Sequence, residues 1–311
     1  MRTFKLLILI LTVIYVRKSN SYNILGVFPH LGKSHVDVFL PLMKSLAQKG
    51  HSVTVISHFP LSKPVPNYKD IDLGGSSQVL LDIIDIKPTN RFDKINNILP
   101  LSYMANISCE IGLSSKAVQN FMKTKEEFDL MIIEFFNSDC FLSLYYKIKA
   151  PIVGITSSTL MPWSSERFAN PTHTAYIPNN CMDYSDKMTF LERLENTVVT
   201  LYHQYHYEYY TLSRDEQIAR KFLGRKASQI TSFIKNSGIL LTNTHFSLNL
   251  PRPLVPNVVE VGGIHIGGIR PLPKVRKYSY IICLDSSDCF VNKARKPFND
   301  KGYLLKLFSV L

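Results

Sequence analysis

Two histidines lie in a short segment that could supply a general base. His30 and His35 belong to the loop 29–35, which follows the apolar run 23–28 and precedes a helical pattern. An imidazole gains and loses a proton near neutral pH, so a histidine beside a ligand crevice can take a proton from a hydroxyl group. His35, at the start of the helix, is the first candidate and His30 is its rival. For any one of the nine histidines taken alone, a surface or helix-capping role is the ordinary alternative.

A histidine base needs an acid that orients its ring, and two acids are candidates. Glu134 ends the apolar run that begins at Phe128, and Asp139 begins the helical pattern that follows. A carboxylate that accepts a hydrogen bond from one ring nitrogen fixes the tautomer and stabilises the imidazolium. Asp139 could equally cap its helix, whereas Glu134 belongs to an otherwise apolar run. The residues alone leave the choice between the two acids open.

Two other patterns suggest phosphate or metal binding but do not satisfy those motifs. The segment 32–34 (GKS) is similar to the end of a phosphate-binding loop, which needs four residues between its glycines; Gly26 and Gly32 have five. His203 and His206 have the spacing of two metal ligands, but no third ligand is evident near them. The tyrosines around them favour a helix face that packs over an apolar cleft. We therefore predict no metal site.

The elements that position these residues alternate between strands and helices. A strand, a helix and a second strand in succession form a βαβ unit, which implies a parallel sheet. We therefore predict a doubly wound α/β domain, with ligands at the carboxyl ends of its strands. The loops 29–35 and 134–139 should meet at that edge. The predicted strands are 23–28, 52–57, 79–86, 128–133, 151–156, 239–243 and 258–261, and the predicted helices are 36–49, 139–147 and 188–224.

The positive charge of the chain does not indicate a nucleic-acid partner. The formal net charge is +12. Four unopposed positive charges lie within residues 1–21, and a net +5 lies within residues 271–311. The remaining +3 on residues 22–270 gives the body no general attraction for a phosphate backbone.

The first 21 residues have the pattern of a secretory signal peptide. Arg2 and Lys5 precede the apolar run 6–16, and small residues suitable for cleavage lie at 19–21. A spanning helix needs about 20 apolar residues, so this run is too short to be one. We expect a mature chain that begins at Tyr22 and enters the lumen of the secretory pathway.

Cysteine usage and one glycosylation sequon fit an oxidising lumen. The five cysteines are dispersed without a Cys-x-x-Cys pair, so they indicate neither a zinc site nor a disulfide scaffold. The five cysteines could form one or two disulfide bonds, which would leave at least one free thiol. Asn106 begins an Asn-x-Ser acceptor triplet for N-glycosylation.

Several segments resemble blocks of the animal UDP-glycosyltransferases, in the form found in insects. The Ser-His at 34–35 and the helix exit GHSVTV resemble the opening of that family. The segment 249–265 (NLPRPLVPNVVEVGGIH) is the most specific match, and the resemblance covers residues 22–273. The segments that carry it are 32–35, 50–55, 129–134, 137–142, 185–196 and 249–265.

The resemblance implies a GT-B fold of two Rossmann-like lobes, of which residues 22–273 would be the N-terminal lobe that binds the acceptor. The acceptor would be a small lipophilic molecule, and the co-substrate UDP-glucose or UDP-glucuronate, with no bound cofactor. His35 would be the base of an inverting transfer of a hexose. Glu134 or Asp139 would be the acid that holds the ring of His35 in place. His30 and Trp163 would contact the acceptor, although Trp163 could instead pack in the core.

The resemblance to the family ends at Pro273. The second lobe, which binds the UDP-sugar, and the membrane helix that follows it in endoplasmic reticulum relatives are not recognised in residues 274–311. We expect that tail to be poorly ordered and the chain by itself to be inactive. The alternative is a non-catalytic isoform that binds acceptors or pairs with full-length relatives.

Overall fold

Seven parallel strands form one sheet in the computed structural model, which describes residues 21–74, 90, 92 and 95–267. The order across the sheet is β3-β2-β1-β4-β5-β6-β7, so the predicted doubly wound sheet is confirmed. The expected signal peptide up to residue 20, the expected strand 79–86 and the tail 274–311 lie outside the described residues. The strands are β1 (Asn23–Phe28), β2 (Ser52–Ser57), β3 (Tyr68–Asp72), β4 (Leu130–Glu134), β5 (Ile152–Thr156), β6 (Ser237–Thr242) and β7 (Val258–Glu260).

Both faces of the central strands are buried, and this explains their continuous apolar sequences. Along β1, Leu25 and Val27 pack into the larger core cluster on one face of the sheet. Ile24 and Phe28 pack into a second cluster on the opposite face, beneath the first helix. Successive strand residues point to opposite faces, so one apolar strand supplies both cores.

Eight helices are present among the described residues. The first, α1, carries an apolar face with Val36, Phe39 and Met43 buried against the sheet. No helix within the described ranges is long and apolar enough to cross a lipid bilayer. Their bounds are α1 (Lys33–Gln48), α2 (Ile98–Ser114), α3 (Lys116–Lys123), α4 (Tyr145–Ile148), α5 (Phe190–His206), α6 (Ser213–Leu223), α7 (Ile230–Ile234) and α8 (Phe246–Asn249).

The long helical region predicted for 188–224 contains an irregular turn. Thr189 caps α5 through the predicted capping box with Glu192. A π-helical turn, Tyr207–Leu212, then joins α5 to α6. A π turn inserts one residue into a helix without ending it, which accounts for the predicted break.

A disulfide bond joins Cys109 on α2 to Cys140, in the 3₁₀ turn Cys140–Leu144 that follows β4. Both cysteines are fully buried, whereas Cys181 is a free thiol. The sulfur atoms and the Asp215 carboxylate lie within 4.8 Å of one another, which is metal-ligand spacing. Since the two sulfurs are bonded to each other, they are not available as thiolate ligands.

Candidate active site

The direction of the strand order reverses between β1 and β4, and the two candidate loops meet at that point. β1 and β4 are neighbours, with Ile24 opposite Leu130. β2 and β3 follow on one side of β1, whereas β5, β6 and β7 follow on the other side of β4. Such a reversal leaves a crevice at the carboxyl ends of the two strands, where ligands bind in doubly wound sheets.

His35 and Glu134 lie in contact across this crevice. Glu134 is the last residue of β4, and its Oε1 lies 2.5 Å from Nδ1 of His35, in the first turn of α1. The Glu134 side chain is 3% exposed and that of His35 is 15% exposed. A carboxylate only accepts hydrogen bonds, so Nδ1–H of His35 donates to Glu134 and Nε2 retains its lone pair.

Ser157 also contacts His35. It follows β5 directly, and its Oγ lies 2.9 Å from Nδ1 of His35. Ser157 is not among the residues predicted from the sequence. Its position, as a polar residue immediately after a buried strand, is the signal that could have found it.

Two aromatic rings fix the plane of the His35 imidazole. His30 stacks on it with a centroid distance of 3.7 Å, and Phe136 meets it edge-on at 4.5 Å. The His30 ring also fills the space above Gly32, where a Cβ would lie 2.9 Å from two of its atoms. Position 32 therefore requires glycine.

His30 is a buried neutral group in this stack. The Gly32 amide donates to its Nδ1 at 2.9 Å, and its buried Nε2 has no hydrogen-bond partner among the described residues. Burial, together with the neighbouring His35, lowers the pKa of His30 well below its usual value. An uncharged His30 supports the ring of His35 without competing with it for Glu134.

Asp139, the other candidate acid, belongs to a separate buried network. Its Oδ2 lies 2.5 Å from Nη1 of Arg167, and its backbone amide donates to Asp215 at 2.9 Å. Arg167 also lies over the ring of Tyr207, 4.8 Å from its centroid. Burial and the nearby Asp139 raise the pKa of Asp215 to about 8. Of the two acids, the one in contact with His35 is Glu134.

Trp163 packs in the core and is not on an open pocket wall. Its side chain is 5% exposed and stacks on Tyr207 at 4.7 Å. Its Nε1 donates to the backbone carbonyl of Phe136 at 2.8 Å. Trp163 therefore positions the residue that meets His35 edge-on.

The Asn106 sequon lies inside α2, where Asn106 is half-buried. Its Oδ1 is buried, and the hydroxyl of Ser108, the third residue of the triplet, donates to the Pro29 carbonyl at 2.7 Å. The modification of Asn106 stays a prediction.

A cavity of about 250 Å³ opens at the carboxyl ends of β5, β6 and β7. Thr242, at the end of β6, lines it and donates to the carbonyl of Ser158, the residue after Ser157. Apolar and polar side chains both line the cavity, among them Leu160, Met182, Leu254, Asn180, Tyr184 and Arg252. The cavity thus lies next to the segment that contacts His35.

Comparison with known proteins supplies the family. The sequence model described as "UDP-glucoronosyl and UDP-glucosyl transferase" matches residues 77–281, which extends past the expected end at Pro273. The chain belongs to this family. The predicted family resemblance is therefore confirmed.

Two curated relatives come from the insect Dactylopius coccus. UDP-glucosyltransferase 2 is 38% identical over 279 residues, which are 88% of this chain and 54% of the relative. UDP-glycosyltransferase UGT5 is 33% identical over 270 residues, which are 84% of this chain and 50% of the relative. The chain spans about half the length of the curated relatives it matches.

One solved structure to which this chain is similar is that of TcCGT1 in complex with UDP. It is 12% identical, with a TM-score of 0.40 over 82% of this chain and 54% of that chain.

Proposed function

We propose that the described residues form the acceptor-binding half of a UDP-sugar-dependent hexosyltransferase and that His35 is its general base. The observation that carries the proposal is the contact of the His35 Nδ1 with Glu134 at the strand-order reversal. Family membership supports a UDP-sugar as the donor.

In the proposed reaction, Glu134 holds the tautomer in which Nε2 of His35 is free to accept a proton. As the acceptor oxygen attacks the anomeric carbon of the sugar, its proton passes to Nε2 of His35. The carbon–oxygen bond to UDP breaks on the opposite side, and UDP leaves with the electron pair. The attack from the opposite side inverts the configuration at the anomeric carbon. Glu134 then stabilises the imidazolium that forms.

The proposed acceptor is a small lipophilic molecule with a hydroxyl group. The cavity at β5–β7 has a volume of about 250 Å³, close to the range typical of small-ligand sites. Its apolar members, such as Leu160 and Met182, would contact the body of the acceptor, while Asn180 and Tyr184 could orient its polar groups.

We further propose that the UDP-sugar is bound by the part of the family's length that this chain does not span. Holding donor and acceptor in attack geometry is a large part of the catalysis of such a transfer. We therefore expect the 311-residue chain by itself to bind acceptors but not to transfer sugar.

Titration calorimetry with phenolic acceptors and with UDP-glucose tests this division. Acceptor binding without UDP-glucose binding is the expected result, and clear UDP-glucose binding would contradict it. A fusion of the chain to the part of D. coccus UDP-glucosyltransferase 2 that follows its matched region should transfer glucose. A correctly folded fusion that binds both substrates but is inactive would argue against the proposed base.

We also propose that the chain matures in the lumen of the secretory pathway. The basic and apolar start of the sequence and the buried Cys109–Cys140 bond support this location, because such bonds persist in oxidising compartments. Processing in insect cells tests it: a mature N-terminus at Tyr22 is expected, and a retained Met1 would contradict it.

A further inference from the structure

One arginine in the wall of the cavity at β5–β7 lacks a counter-ion among the described residues. Arg252 lines this cavity and belongs to the loop between α8 and β7. Its Nε is buried, and no described residue accepts a hydrogen bond from it. Within the described ranges its guanidinium makes one long hydrogen bond, from Nη2 to Oγ of Ser165 at 3.5 Å. An arginine side chain does not lose its proton in a protein, so the positive charge of Arg252 remains.

Arg167 shows how another buried arginine of this lobe is held. Its Nη1 lies 2.5 Å from the Asp139 carboxylate. Around Arg252, burial lowers the pKa of the guanidinium, and the described side chain that acts in the opposite direction is Tyr176, a phenol and not a carboxylate. A buried charge without a partner of opposite sign is costly. An anionic group that entered the cavity would therefore be stabilised at Arg252.

The backbone around Arg252 is held firmly by its surroundings. Pro251 and Pro253 flank it, and a proline ring fixes its own φ angle. The buried Asn170 donates from its Nδ2 to the Pro253 carbonyl at 3.3 Å. Leu250, which also lines the cavity, has a φ of 63°. Strained non-glycine residues of this kind cluster at ligand-binding sites, where the surrounding structure holds them in place. The loop thus presents the guanidinium in a set position.

The rest of the cavity wall limits the kind of molecule that can carry the anionic group. Leu160, Met182 and Leu254 supply apolar surface, which suits a hydrocarbon body. Glu260 lines the same cavity, and its negative charge disfavours a ligand with several negative charges. One carboxylate on a lipophilic body fits this wall better than a diphosphate does.

We propose that the cavity binds lipophilic hydroxy acids and that Arg252 holds their carboxylate. This assignment rests on the proposed role of the cavity as the acceptor site. The planar guanidinium can donate two parallel hydrogen bonds to a carboxylate, which fixes the orientation of the ligand. The carboxylate is then the anchor, and the hydroxyl group of the same molecule is left to react near His35. Arg252 determines specificity and takes no part in the proton transfer.

Calorimetry of the full chain with two matched phenols tests the role of Arg252. The probes are p-coumaric acid and p-coumaramide, which differ in charge and little in size. Wild type should bind the acid about 10–100-fold more tightly, as charge-assisted hydrogen bonds predict. Arg252→Gln should lose this preference and bind p-coumaramide as wild type does. The matched control is Arg214→Gln, at an exposed position outside the cavity, which should keep the preference.

The salt dependence of binding is a second measurement, and it needs no variant. Salt screens the attraction between a carboxylate and a guanidinium. The affinity of wild type for p-coumaric acid should therefore fall as the salt concentration rises, while its affinity for p-coumaramide should change little. An equal response of both probes to salt would contradict the proposed ion pair, whether or not Arg252→Gln folds.

Three results would overturn the assignment. The first is equal affinity of wild type for the two probes, which would leave the acceptor role of the cavity intact. The second is equal weakening of both probes by Arg252→Gln, which would make Arg252 a structural residue. The third is UDP binding that Arg252→Gln abolishes, which would place a phosphate of the donor at Arg252. Binding of neither probe by wild type would contradict the acceptor role of the cavity as well.

Discussion

The His35 Nδ1 and the Glu134 Oε1 lie 2.5 Å apart although 99 residues separate them in the sequence. The contact joins the first turn of α1 to the last residue of β4. It leaves Nε2 of the imidazole with its lone pair, and the stacking of His30 and the edge of Phe136 hold the ring in place. The arrangement has the parts that a general base requires.

Replacing His35 by glutamine should remove most of the transfer activity of the fusion enzyme. Glutamine cannot take the proton from the acceptor, so we expect kcat to fall by about 10²–10⁴-fold. Steady-state kinetics measure the loss, and acceptor binding should persist in calorimetry. The exposed His245 is the control position, and His245→Gln should leave kcat unchanged. A His35→Gln enzyme with normal kcat would refute the assignment.

Replacing Glu134 by glutamine should lower kcat without abolishing folding. The amide no longer selects the Nδ1–H tautomer or stabilises the imidazolium, and about 10²-fold or more of kcat should be lost. The pH dependence of kcat should change as well, which a purely structural role would not cause. Glu126→Gln, in an exposed ion pair with Lys69, is the matched control. An equal effect of both changes would contradict the role of Glu134.

Replacing Asp139 by alanine should lower the stability of the fold, and its main effect should not be on the transfer reaction. The change leaves Arg167 buried without its carboxylate partner, which typically costs about 3–5 kcal/mol. Urea denaturation monitored by circular dichroism measures the free energy of unfolding. Asp37→Ala removes an exposed pair with Lys33 and should cost less than about 1 kcal/mol. Similar losses for both variants would mean that the Asp139–Arg167 pair contributes little.

Removing the Cys109–Cys140 bond should lower the stability of the lobe. The bond closes a loop across 31 positions of the sequence, which corresponds to about 3–4 kcal/mol of chain entropy in the unfolded state. The double variant Cys109→Ala/Cys140→Ala should show this loss in urea denaturation. Wild type should lose a similar amount in a reducing agent. Cys181→Ala removes only the free thiol and keeps the disulfide bond. In a reducing agent it should therefore lose as much stability as wild type, and no more.

Acid should destabilise the lobe partly through His58. This residue is buried, and neither of its ring nitrogens has a hydrogen-bond partner in the described part of the chain. Burial lowers its pKa from 6.5 to about 4. The unfolded chain therefore binds more protons than the folded chain between those two values. The contribution of His58 to the free energy of unfolding is fully present above pH 6.5. It is lost as the pH falls towards 4, and the total loss is about 3 kcal/mol. The free energy of unfolding of His58→Phe should fall less steeply than that of wild type as the pH is lowered from 6.5 to 4. Identical slopes for the two proteins would refute the prediction.

The sequence predicted the strands that carry the site because their apolar runs are unambiguous. β1 and β2 have the predicted bounds, 23–28 and 52–57. β3 was not predicted, because its polar sequence YKDID lies at the sheet edge and is not fully buried. α2 was not predicted either, because it is apolar on all sides and lacks the helical periodicity of an amphipathic helix.

The pairing within the site could be predicted only in part. Placing both Glu134 and Asp139 near the crevice followed from the strand-end rule. Choosing between them depends on which way each side chain points: Glu134 continues a strand, whereas Asp139 turns back towards Arg167. The roles of Ser157 and Trp163 likewise depend on contacts between segments far apart in sequence.

The position of β4 between β1 and β5 has a consequence for biosynthesis. The backbone amide of Asn23 donates to the carboxylate of Asp129, 106 residues later, so one edge of β1 stays open until that segment leaves the ribosome. At usual elongation rates the wait is roughly 5–20 s. During that interval β1 and β2 can pair, but the other edge of β1 remains a template for the wrong strand. Nascent chains that stall between residues 60 and 130 should therefore depend on chaperones more than chains that stall after Thr156.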